Sequence, residues 1–545
     1  MRFFLEVIIL ISMIPTSSAS GPVSVTPTPQ EIEMKGGAAV LSNDWSIVLD
    51  QKDSKNALTA RYLADKINDR FGLILNLEDV AHPNKKNHIV LSKLSGQEHN
   101  NIGEEGYVLI ASDGNISISA NTQKGIFYGM QTLCQLIKKE ANNITVPLLK
   151  IVDYPKIKIR AVHFSGIKPD KIKEEIEKIA QLKYNTAIIE SQAYFSLGQS
   201  ENRELMEEIF RYARELYIEP IPEVLSFSSA QGILVGDPYS VEGIRNENKK
   251  LKFINDIAQP EESTVGPLVN VIRDGEDEII VRSADGKKVF SEHKDYKVID
   301  GQISFPFSSS AVPTQIMRIQ DGEIENGEEV LVSYTYFENK PSFNFPDCVA
   351  TYCPSTERTY NVMTETIGNV LNILRPSYIS IGHDEIRGMN RDNRCRKRNL
   401  SNAELLADDV IKLFNICKSV NPDVNVLMWN DMLNPYYNGG NADFEVQYGG
   451  LPGETYPAID WIPKDVILMT AAYDPNKSFC LKSCDYFDSK QFNYLVAGWN
   501  NKQNIAEWSE IAKQRSNCLG IIETTWYDWE GNFENIKYAA EVSWH

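Results

Sequence analysis

Two adjacent carboxylates, Asp384 and Glu385, end the tetrapeptide Gly382-His383-Asp384-Glu385, and an apolar run, Tyr378-Ile379-Ser380-Ile381, leads into it after Arg375-Pro376. Carboxyl groups that share a partly desolvated site raise each other's cost of ionisation. One can then hold a proton near neutral pH while its neighbour stays anionic. That division of labour suits cleavage of a glycosidic bond. The same dipeptide also occurs where a strand gives way to a helix, with the acids facing the helix dipole. The surrounding elements must decide between the two.

From Lys156 onward, short apolar strands alternate with helical segments. Ile157 to Phe164, Thr186 to Glu190, Ile218 to Glu223, Tyr378 to Ile381, Val424 to Trp429, Val466 to Thr470, Tyr494 to Ala497 and Leu519 to Glu523 are eight such strands. Eight βα units predict a (β/α)8 TIM-type barrel, with its working residues at the C-terminal strand ends. The barrel is expected over 156–264 and 339–545. Between its third and fourth strands, residues 265–338 carry alternating strand patterns and turn signals such as Asp285-Gly286 and Asp321-Gly322. They predict an inserted all-β module, which either packs for stability or walls one side of the cleft. Residues 21–155 mix strands with a helical segment, Ala57 to Phe71, and predict a small α/β domain. Residues 1–20 read as a signal peptide, although Glu6 inside the apolar stretch is atypical, and the protein is expected to be exported.

A chain of 545 residues exceeds what one core sustains, which agrees with several domains. Its formal net charge of −19, with no long basic run, argues against nucleic acid or an anionic membrane surface as a partner. No segment of the sequence reads as transmembrane. Eight cysteines are too few for a disulfide scaffold in a chain of this length. Cys348 with Cys353, or Cys480 with Cys484, could pair locally, or across to each other or to Cys395. Zinc is the sharper alternative, but no histidine pair accompanies them and the spacings are not those of a zinc ribbon, so structural or free cysteines, without metal or cofactor, are the expectation.

The strand ends collect polar and aromatic residues. Arg160 and His163 lie on the first strand, Glu190 ends the second and Glu223 the third, and Trp429-Asn430-Asp431 ends the fifth. Tyr473, Trp499-Asn500, Glu523, Trp526 and Asp528 follow later in the chain.

With these residues in view, the chain resembles glycoside hydrolase family 20, the β-N-acetylhexosaminidases. The resemblance lies in Glu105-Gly106-Tyr107, in Gly125-Ile126-Phe127-Tyr128-Gly129-Met130-Gln131-Thr132-Leu133, in Lys183-Tyr184-Asn185, in Ile221-Pro222-Glu223, in Asp384-Glu385 and in Met428-Trp429-Asn430-Asp431. It implies a retaining hydrolase that removes β-linked N-acetylhexosamine from a glycan or oligosaccharide. Glu385 would be the general acid, and the substrate's own acetamido carbonyl would attack the anomeric carbon to give an oxazolinium ion. Asp384 would orient the acetamido N–H. Arg160 resembles the arginine that holds sugar hydroxyls, and Trp429 and Trp526 would wall the acetamido group. Glu223, His383, Tyr473 and Asp528 complete the expected substrate site. Ser165, His383, Asp528 and the tryptophan-free sixth strand depart from the family pattern, all within the substrate pocket. Two other classes stay open: a barrel glycosidase using a carboxylate nucleophile, and a catalytically silent carbohydrate-binding relative.

Overall fold

The computed structural model describes residues 24–49, 54–79, 86–94, 100–260, 268–273, 278–337, 350–438, 454–473 and 475–545, so the segment read as a signal peptide lies outside the described residues. The chain divides into two units, Met1–Tyr154 and Pro155–His545.

Among the described residues, the first unit is one mixed sheet of eight strands with two α-helices, Ser54–Phe71 and Gln123–Leu136. The Gly125-to-Leu133 motif forms most of the second helix, whose N-terminus is capped by the Thr122 hydroxyl. Its glycines have a steric purpose. A Cβ at Gly125 would meet the Gly106 carbonyl oxygen at 2.4 Å, and one at Gly129 would meet Ile118 at 2.5 Å, so the helix can lie close against the sheet only without them. Beneath it, the buried Tyr107 hydroxyl donates to Asp153 at 2.6 Å.

In the second unit, eight parallel strands close into a barrel: Ile159–Phe164, Thr186–Glu190, Glu219–Glu223, Tyr378–Ser380, Asn425–Trp429, Val466–Ala471, Tyr494–Gly498 and Cys518–Thr524. All eight fall on the segments read from apolar runs. Strand alternation sends Ala161, Ile188, Ile221, Leu427, Met469, Leu495 and Ile522 into the barrel interior, which is filled by side chains. The intervening residues face the outer helices. One such helix, Asn402–Val420, starts at a capping box of Ser401 and Glu404.

Between the third and fourth barrel strands lies a separate antiparallel sheet with its own core of Leu251, Phe253, Val281, Phe290, Tyr296, Ile316 and Val332. It begins at the strand Ile244–Ile254, about twenty residues before the boundary expected from the sequence. That strand reads IRNENKKLKFI and shifts register between Asn246 and Lys249, so its first half is polar and the apolar alternation begins only at Leu251 and Phe253. Among the described residues, no helix is long and apolar enough to cross a membrane.

Candidate active site

Five carboxylates meet at the C-terminal ends of barrel strands. Glu190 and Glu223 end the second and third strands and are paired in register, Asp384 and Glu385 follow the fourth, and Asp431 follows the fifth. The turn that presents the acid pair is built from left-handed backbone. Gly382, His383 and Glu385 have φ of 68°, 73° and 49°. The last two are unusual for residues with a Cβ, and such conformations persist where neighbours over-determine them. Here the Glu385 N–H donates to Asp431 Oδ2 at 2.7 Å, pinning the turn to the next strand.

His383 supplies the rest of that hold. It is fully buried, with Nε2 2.8 Å from Asp409 Oδ2 and Nδ1 2.9 Å from both the Ser226 hydroxyl and the Ile381 carbonyl. Asp409 in turn accepts from the hydroxyls of Tyr352 and Tyr360, each at 2.7 Å. With both ring nitrogens taken up by protein, His383 holds the turn from behind. This corrects its expected place in the substrate site.

Glu223 is also buried, and both its oxygens are engaged. Oε2 lies 2.8 Å from His163 Nε2 and Oε1 accepts from the Trp429 indole at 2.7 Å. His163 Nε2 also lies 3.9 Å from Glu190. Trp526 packs edge-on against His163 at 4.9 Å, lies 5.5 Å from Trp429, and donates its indole N–H to the Tyr473 hydroxyl at 2.9 Å. Trp499 meets Tyr473 edge-on at 5.5 Å. Trp429, Trp526 and Tyr473 thus form a continuous aromatic wall beside the acids.

Burial dominates the electrostatics. It raises the carboxyl of Glu385 to about 7, helped by the charge of Asp384 and opposed by Arg387, whose guanidinium donates to Glu385 Oε2 at 2.8 Å. Asp384 is raised to about 6 by burial and then by Glu223. Glu190 reaches about 7, again from burial, against the pull of His163. Asp431 is pushed well above the carboxylate range by burial and by Asp384. Burial disfavours the His163 cation, but the charge and hydrogen bond of Glu223, with Glu190 and Asp384, outweigh it and hold its pKa above the usual histidine value.

Arg160 does not join this cluster. It precedes Ala161 on the first strand and so faces outward, where its guanidinium donates to the carbonyls of Ile157 and Lys183 at 2.8 and 3.0 Å and lies 5.0 Å from the Trp544 ring. The side chain opposite Glu223 is His163, three residues further on and in inward phase. Asp528 is exposed and caps the last helix, accepting from the Gly531 N–H at 3.0 Å. Glu523 also points out of the barrel, held by Asn532 Nδ2 at 3.1 Å. Beyond the expected site residues, the structure adds His163, Glu190 and Asp431 to the cleft, all legible as polar strand ends, and Arg387, which no spacing signalled. Cys480 and Cys484 are free, buried one turn apart on a helix, and Cys348 lies outside the described residues.

In an eight-stranded parallel barrel the working residues gather at the C-terminal face, which is where the paired acids stand. Residues 23–154 match the model of Glycosyl hydrolase family 20, domain 2. A Beta-hexosaminidase of Porphyromonas gingivalis is 25% identical over 254 residues, 40% of this chain and 32% of that protein. Beta-hexosaminidase subunit A2 of Dictyostelium discoideum is 24% identical over 264 residues, 44% of this chain and 46% of that protein. The matched regions thus span less than half of these curated relatives. In fold, the chain is similar to the β-N-acetylhexosaminidase of Bacteroides fragilis, with a TM-score of 0.61 at 14% identity over 96% of this chain and 91% of that one. It is also similar to the exo β-N-acetylglucosaminidase of Vibrio harveyi, with a TM-score of 0.60 at 12% identity over 95% and 73%. Residues 23–154 thus match a domain of glycosyl hydrolase family 20, and in fold the chain is similar to β-N-acetylhexosaminidases.

Proposed function

We propose that the protein is an exported glycoside hydrolase that removes β-linked N-acetylhexosamine with retention, the substrate's acetamido group acting as nucleophile. The observation that carries this reading is the half-buried Asp384-Glu385 pair, in which Glu385 is raised to about 7 and Asp384 to about 6. Near neutral pH, Glu385 holds a proton for the glycosidic oxygen while Asp384 is the more anionic partner, suited to orient the acetamido N–H and offset positive charge on the forming ring. After the aglycone leaves, Glu385 takes a proton from water as that water opens the oxazolinium ion.

The other acids support substrate assistance over a carboxylate nucleophile. Glu223 spends both oxygens on His163 and Trp429, and Glu190 and Asp431 are held toward their neutral forms, in which a carboxyl is a poor nucleophile. Trp526, partly exposed, offers a flat apolar surface of the kind that complements sugar C–H groups, and Trp429, buried in the barrel core, packs behind it.

The test is a paired-substrate assay with aryl N-acetyl-β-glucosaminide and galactosaminide against their 2-hydroxyl analogues. Acetamido participation predicts turnover of the first pair and almost none of the second. Comparable turnover of the 2-hydroxyl sugars would transfer the role to a carboxylate nucleophile, and no turnover of any would favour a binding protein.

A further inference from the structure

We propose that Glu242, Cys353, Asp392 and Cys395 form a structural zinc site that ties the inserted sheet to the loop following the acid pair. All four side chains are buried, and their donor atoms lie within 4.8 Å of one another. Cys353 Sγ is 3.5 Å from Cys395 Sγ and 3.8 Å from Asp392 Oδ1, and Cys395 Sγ is 3.3 Å from Glu242 Oε2. Tetrahedral zinc, with Zn–S near 2.3 Å and Zn–O near 2.0 Å, sets S···S edges of about 3.8 Å and S···O edges of about 3.5 Å. The donor atoms already stand close to that spacing, and both cysteines are free thiols.

The carboxylates are also aimed. Glu242 uses Oε1 to accept from the N–H groups of Arg391 and Asp392 at 2.6 and 3.2 Å, and Asp392 uses Oδ2 to accept from Gly243 N–H at 3.1 Å and Arg394 at 2.6 Å. Each is thereby oriented from outside, leaving Glu242 Oε2 and Asp392 Oδ1 turned toward the sulfurs, the arrangement by which outer contacts fix metal ligands. Two carboxylates and two thiolates gathered out of water need more positive charge than Arg394 alone supplies. A zinc ion supplies two charges, and its binding releases one proton from each thiol to solvent. Two sulfur ligands favour zinc over calcium or magnesium, and four protein ligands leave no open position, which marks a structural site.

The four ligands come from three stretches of chain. Glu242 immediately precedes the first inserted strand, Cys353 follows the sheet, and Asp392 and Cys395 lie beyond Glu385 on the way to and within the short helix Asn393–Arg396. The ion would hold both ends of the insertion against the loop that carries Arg387, the partner of Glu385. This role is independent of the sugar the cleft accepts.

The test uses the full chain expressed with added zinc and purified without a metal-affinity tag. Elemental analysis is combined with alkylation of cysteines under non-reducing conditions, before and after chelation, followed by peptide mapping. The expected result is about one zinc per chain, with Cys353 and Cys395 protected until the metal is removed. Cobalt(II) added to the stripped protein should give the visible absorption of a tetrahedral thiolate site, and Glu242→Gln should weaken zinc retention at least tenfold. A Cys353–Cys395 disulfide without metal would overturn the proposal, as would free thiols that bind neither zinc nor cobalt. Should Glu242→Gln fail to fold, the wild-type metal content and alkylation pattern still decide.

Discussion

Among its described residues, the barrel unit gathers acids into a cleft cluster and a sealed cluster of opposite character. In the cleft, Asp384, Glu385, Glu190 and Asp431 keep partial access to solvent, and burial holds them toward their protonated forms. In the knot of Glu242, Asp392, Cys353 and Cys395 every member is sealed, and each carboxylate has one oxygen fixed by backbone N–H or Arg394. Under the two proposals the same functional groups serve different ends. Open and imperfectly compensated, they exchange protons with a bound molecule; sealed and oriented, they hold chain segments together.

Substitutions in the two clusters should separate activity from stability. The largest effect is expected for Glu385→Gln, with kcat on an aryl N-acetyl-β-glucosaminide falling by about 10²- to 10⁴-fold while thermal unfolding stays cooperative. Asp392→Ala should do the reverse. Removing the carboxylate that faces the buried Arg394 costs about 3–5 kcal/mol in denaturant unfolding, and equal KM values in surviving folded protein would mark the knot as structural. Arg160→Met strips the buried carbonyls of Ile157 and Lys183 of their donor and should cost about 2–3 kcal/mol with KM unchanged. A rise in KM without loss of stability would restore Arg160 to the cleft.

The smallest effect concerns pH. Glu385 titrates at about 7 in the folded protein against an ordinary 4.5, so the folded state binds more protons between those values. Stability is then present below the lower value and lost as pH rises through the higher one. Glu385→Gln removes that loss and should stabilise the protein by about 1–2 kcal/mol at pH 8, after allowance for solvent screening, and by almost nothing at pH 4. Urea unfolding at the two pH values checks this.

The sequence shows the barrel because parallel strands buried on both faces read as short apolar runs, and several of them end in polar residues at the C-terminal face. Phase is harder to see. Arg160 matches a motif by residue type, yet period-two alternation places it outside and His163 inside, a distinction visible once Ala161 is assigned to the interior. The support behind His383 comes from Ser226, Tyr352 and Asp409, whose partnership depends on folded contacts between distant stretches of chain. The cysteine and acid knot is scattered from position 242 to 395, so no local spacing announces it. The polar first strand of the inserted sheet, with its register shift, hides the module's boundary in the same way.

The central claim, that Glu385 delivers the proton to the leaving oxygen, is tested most directly by comparing wild type and Glu385→Gln over a series of aryl N-acetyl-β-glucosaminides of increasing leaving-group pKa. A general acid matters most where the leaving group most needs protonation. The loss in kcat/KM should therefore grow steadily along the series, from slight for the most acidic phenol to orders of magnitude for the least. A loss that is uniform across the series, or absent throughout, would contradict the assignment.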